Sequence, residues 1–89
     1  QQKGLVIMEY RYDTQLLIDG DNLDEDVIID YFNQNFSGDC LLAVGGGPLV
    51  KIHYHTNEPW RVLEYCASLG EIYDIVIEDM DRQSRGLQG

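Results

Sequence analysis

Val50-Lys51-Ile52-His53-Tyr54-His55-Thr56-Asn57 is the stretch that orders the rest of the chain. Apolar and polar residues alternate along it, which is the period of a half-buried strand. Successive strand side chains point to opposite faces, so His53 and His55 share one face. They are the two histidines of the sequence. The strand runs into Asn57-Glu58-Pro59, a helix start. Asn57 can cap the helix, and Pro59 lies in its first turn, where a missing N–H costs nothing.

Beyond that start, Val62, Leu63, Cys66 and Leu69 form the apolar stripe of a helix over about 58–69. Gly70 is suited to the position after its end. Glu71 to Asp79 alternates again, with Tyr73, Ile75 and Ile77 opposing Asp74 and Glu78, and reads as a strand. Residues 82–89 hold one apolar side chain, Leu87, and are predicted to be a flexible tail.

Working back from the quoted stretch, the strand over Leu49–Thr56 is preceded by Gly45-Gly46-Gly47-Pro48, a turn. The short apolar run Cys40–Val44 is the partner strand of a hairpin closed by that turn. Ile28, Tyr31, Phe32 and Phe36 are spaced by three and four residues, so a helix is predicted over about 23–35. Asn22 with Glu25 fits a capping box, and Asp24, Glu25 and Asp26 suit the positive end of the helix dipole. Asp19-Gly20-Asp21-Asn22 is turn chemistry. Before it, Leu5 to Ile18 alternates and is the first predicted strand. Its pattern slips at Leu16-Leu17, a place for a bulge.

The element order βαββαβ predicts an α+β, ferredoxin-like fold. Its four-stranded antiparallel sheet has the order 4-1-3-2, with both helices on one face. So common an architecture says little about function. It does place the first and third strands side by side. Val50, Ile52 and Tyr54 should face the helices. His53 and His55 should share the open face with Glu9, Arg11, Asp13 and Gln15.

At 89 residues the chain is one domain, expected to be a module or fragment of a larger protein because it begins Gln1-Gln2-Lys3-Gly4 and not with Met. Sixteen acidic and six basic residues leave a net charge of −10, which repels nucleic acid and anionic membrane surfaces. No apolar run approaches the roughly 18–20 residues of a membrane helix. Two cysteines without a secretory signal read as free thiols in a cytoplasmic protein. Cys40 and Cys66 are both expected to be inert core thiols.

Several stretches together carry a family likeness. They are Gly38-Asp39-Cys40-Leu41-Leu42-Ala43-Val44-Gly45, Leu49 through Pro59, Val62-Leu63-Glu64-Tyr65, Gly70-Glu71-Ile72 and Ile77-Glu78-Asp79-Met80. Spread from about Tyr10 to Gln83, they resemble the middle domain of the bacterial fatty acid kinase A proteins. The resemblance implies a module between a dihydroxyacetone-kinase-like nucleotide-binding domain and a DegV-like domain. It implies a whole protein that uses ATP to phosphorylate a fatty acid held by a separate DegV-type protein. It also implies a zinc site made of the two histidines and a cysteine on the first strand. His53 and His55 match directly. In the run Tyr12-Asp13-Thr14-Gln15, Asp13 stands where that cysteine would fall. Two imidazoles and a carboxylate remain a legitimate ligand set, harder and less selective for zinc than one with a thiolate. Arg11 is a competitor for Asp13.

Other patterns weigh less. Gly45-Gly46-Gly47 leads into a strand, whereas a phosphate loop leads into a helix. Asp19, Asp21, Asp24 and Asp26 lack the glycine and glutamate spacing of an EF-hand loop and read as capping and solvated acids. Trp60 is a helix-end packing residue or a partner contact. The functional expectation is therefore a non-catalytic linker or regulatory domain, not itself an enzyme, with a metal site at Asp13, His53 and His55. A stand-alone small-molecule-sensing or protein-interaction domain is the alternative. A small metal-dependent hydrolase using the same three residues ranks third.

Overall fold

Thr14, Leu16 and Ile18 point inward from β1, Tyr12–Leu23, with at most 2% of their surface exposed, and the residues between them point outward. The structure is a computed structural model that describes residues 8–89. The Leu5–Ile7 part of the predicted first strand lies outside the described residues. After β1 come helix α1, Glu25–Asn35, and strand β2, Gly38–Thr56. Helix α2, Pro59–Leu69, strand β3, Glu71–Asp79, and a short helix α3, Met80–Ser84, complete the order.

Among the described residues the sheet has three strands in the order β2-β1-β3, with both pairings antiparallel. This corrects the predicted four-stranded ferredoxin-like sheet. In place of two strands and a turn between Cys40 and Thr56, there is one continuous element of 19 residues. The reason lies in the glycines. Gly45, Gly46 and Gly47 take φ values of 123°, 153° and 61°. Residues with a β-carbon rarely occupy such values. The backbone can therefore bend sharply while Gly47 stays paired to Leu23 of β1.

β1 is displaced relative to its prediction for a related reason. The Asp19-Gly20-Asp21-Asn22 stretch does not end the strand but lies within it. The pairing with β2 shifts between Asp19, opposite Leu49, and Leu23, opposite Gly47. Three β1 residues thus face Pro48 alone. Proline offers no N–H to the ladder, so a bulge opposite it forfeits little. The irregularity predicted near Leu16-Leu17 is also present, as a register shift against β3 between Gln15 and Leu17. The extra residue belongs to β3, beside Asp74 at φ 50°.

One face of the sheet carries α1 and α2. Their stripes place Ile28, Phe32, Val62 and Cys66 against Leu16, Ile18, Ala43, Val50, Ile52 and Tyr54. Phe32 is fully buried and meets the Phe36 and Tyr54 rings edge-on, at centroid distances of 5.1 and 5.0 Å. Tyr31 and Tyr65 stack between the helices, 3.7 Å apart and 2° from parallel. Burying an aromatic or aliphatic side chain of this size contributes about 1.5–3 kcal/mol, so these few residues carry much of the fold.

The caps differ from the predicted ones. Asp24, not Asn22, caps α1, accepting from the backbone N–H groups of Asp26 and Val27. Asn57 does not cap α2. Its side chain bonds the Glu9 carbonyl and accepts the Arg11 N–H at 2.7 Å, tying the approach of β1 to the end of β2. Asp79 caps α3, which takes the place of part of the predicted flexible end. No helix among the described residues is long and apolar enough to cross a membrane.

Candidate metal centre

The alternation that buries Val50, Ile52 and Tyr54 turns His53 and His55 onto the face without helices. Antiparallel register then sets Asp13 of β1 directly opposite His55 and Gln15 opposite His53. Strand parity and register thus bring together all three predicted ligands. The Nε2 atoms of the two histidines lie 3.1 Å apart. Asp13 Oδ1 is 3.2 Å from Nε2 of His53 and 3.9 Å from Nε2 of His55.

These separations can be compared with those a metal imposes. Zinc holds nitrogen and oxygen donors at roughly 2.0–2.1 Å, so tetrahedral ligand atoms lie about 3.3–3.4 Å from one another. The three observed distances straddle that value. All three side chains are partly buried, with 31%, 22% and 18% of the His53, His55 and Asp13 side chains exposed. Asp13 Oδ1 itself is buried and has no hydrogen-bond partner, because neither ring N–H is aligned on it. An unsatisfied buried carboxylate oxygen facing two imidazole nitrogens is what a cation site looks like without its ion. The residues therefore fit the metal.

Arg11 does not compete for Asp13. It donates to both carboxylate oxygens of Asp79, from Nε at 2.9 Å to Oδ1 and from Nη2 at 2.8 Å to Oδ2. That hydrogen bonding, with help from the backbone N–H of Arg82, pulls the Asp79 carboxyl down to about 2. The clamp consumes the guanidinium and leaves the Asp13 carboxylate to the histidines.

The two cysteines separate. Cys66 is buried in the core as expected, and burial pushes its thiol up to about 12. Cys40 is exposed, which corrects its assignment as a core thiol. It lies near the histidines because β2 bends back beside itself. A side chain at Gly38 would strike the Tyr54 ring and the His55 carbonyl. Glycine there lets Asp39 and Cys40 approach, and Asp39 Oδ1 sits 3.5 Å from Nδ1 of His55. Partial desolvation, followed by the Asp39 charge, raises the Cys40 thiol above its ordinary value. Sequence reasoning missed this second cluster. Its one visible trace is the glycine before Asp39-Cys40.

The remaining motifs do not gather into sites. The Gly45 N–H donates to the Glu25 carboxylate at 2.9 Å, so this glycine run is already satisfied by α1. Trp60 is 60% exposed at the start of α2.

The family model for the middle domain of FakA-like fatty acid kinases matches residues 9–87, and the chain belongs to that family. Protein YloV of Bacillus subtilis (strain 168) is 33% identical over 78 residues, covering 85% of this chain and 14% of YloV. An uncharacterized protein of Staphylococcus aureus (strain USA300) is 38% identical over 56 residues, covering 61% of this chain and 10% of that protein. The chain thus spans between a tenth and a seventh of the length of these relatives.

Proposed function

We propose that this domain is a non-catalytic linking module of a fatty-acid-kinase-like protein, and that it binds a divalent metal, zinc, through Asp13, His53 and His55. The observation that carries the reading is the convergence of Asp13 Oδ1 and two Nε2 atoms at ligand-like spacing, with the carboxylate oxygen otherwise unpartnered. Zinc in such a place pins strands together. It would tie β1 to β2 at the end of the sheet where the chain enters β1 and leaves β2 for α2.

Family membership supports the larger context. In that context a separate domain binds ATP, and the phosphoryl acceptor is a fatty acid carried by a DegV-type protein. The module's part is to hold neighbouring domains in register through its open face. Zinc supplies rigidity here, and the protein residues supply the donors.

Metal analysis of protein purified without chelator or added metal tests the reading. One zinc per chain, lost in His53→Ala, is the expected result. A metal-free wild type that also fails to take up added zinc overturns the site. Phosphoryl transfer from ATP by this chain alone would overturn the non-catalytic role.

A further inference from the structure

Three protein donors leave one position of a zinc tetrahedron open. An open position filled by water makes a reactive centre; a fourth protein donor makes a closed, structural one. The second cluster bears on this choice. Asp39, Cys40 and His55 each offer a donor atom within 4.8 Å of the others, and His55 belongs to both clusters. The bend in β2 therefore delivers a thiol to the same imidazole that Asp13 and His53 approach from the other side.

Resting on the metal-binding reading above, we propose that Cys40 Sγ is the fourth ligand, closing the site as Asp13, His53, His55 and Cys40. Asp39 is the positioning residue for His55. The chemistry of the set agrees. A carboxylate and two imidazoles are hard and intermediate donors, and one thiolate shifts the preference toward zinc. Cys40 is exposed and so is free to turn its sulfur toward the ion, unlike Cys66 in the core. On binding, the thiol loses its proton to solvent as the sulfur–metal bond forms. The Asp39 carboxylate at Nδ1 holds the other ring nitrogen of His55 as the ligand, the arrangement metal-binding histidines commonly use. Asp39 does not touch the metal.

Cobalt replacing zinc gives a direct readout, because a thiolate ligand adds a charge-transfer band in the near ultraviolet to the visible d–d absorption. The wild type should show both. Cys40→Ser should lose the charge-transfer band and keep the d–d absorption, whereas Cys66→Ser should keep both. Asp39→Asn should retain the band while zinc affinity, measured by chelator competition, falls about 10- to 100-fold. Cobalt bound without the band in wild type, or a band that survives Cys40→Ser, overturns the assignment of Cys40 and leaves the three-residue site standing. Failure of the wild type to bind either metal overturns both.

Discussion

The two faces of the sheet come from the same strands and do different work. On the helix-covered face, Thr14, Leu16 and Ile18 of β1 and Val50, Ile52 and Tyr54 of β2 are at most 3% exposed. One residue along each strand, Asp13 and Gln15 face His55 and His53, all only partly buried. Apolar side chains on the first face gain by leaving water, whatever their exact partner. Polar side chains on the second are held near one another by register alone, with Asp13 Oδ1 unsatisfied. Stability resides in one face and the candidate chemistry in the other, and a single-residue slip would exchange them.

The largest effect should come from the packed face. Phe32→Ala removes the ring around which Phe36 and Tyr54 pack, and should cost about 3–5 kcal/mol. The measurement is the urea midpoint. Where the variant is still folded, zinc binding should persist; its loss would show that the faces are not separable.

Next is the metal itself. Zinc at about 100 times its dissociation constant should add about 2.7 kcal/mol, and a chelator should remove that increment. His53→Ala should lack the increment, while its melting without metal stays within about 0.5 kcal/mol of wild type. A large loss without metal would mean the imidazole stabilises the sheet in its own right.

Smaller again is the tyrosine stack outside the core. Tyr31→Leu should cost about 0.5–1.5 kcal/mol, read by thermal melting, with no change in zinc uptake.

The mildest probe is acid. The Asp79 carboxyl lies at about 2, below its ordinary 3.8, because Arg11 hydrogen-bonds its ionised form. A depressed carboxylate contributes its stabilisation in full above the ordinary value, and the contribution is lost as pH falls toward about 2. Asp79→Asn should therefore melt lower at neutral pH and show a shallower decline of melting temperature across that acid range. An unchanged slope would mean the clamp does not contribute to folding.

Much of this was legible in the residues. Alternation from Val50 to Thr56 assigned each side chain to its face, because strand period is a local property of the backbone. The slip at Leu16-Leu17 marked a real irregularity, though its extra residue sits in β3, which no local pattern in β1 could reveal. Gly45-Gly46-Gly47-Pro48 misled because glycine serves turns and bent strands alike; its pairing with Leu23 decides between them. Asn22 and Asp24 are both good caps, and the bulge opposite Pro48 carries β1 past the first of them. Arg11 was placed against Asp13 by proximity in sequence, but Asp79, 68 residues away, offers it both oxygens.

By itself the sequence determined the elements around the two histidines, the face each residue occupies and the identity of three candidate ligands. Those follow from periodicity, which each segment carries within itself. The tertiary structure decided how many strands the sheet has, which carboxylate the arginine takes and where Cys40 lies. Each of these depends on which distant segments meet. That was fixed by glycine conformations and by competition for partners, neither of which is written in any one stretch of the chain.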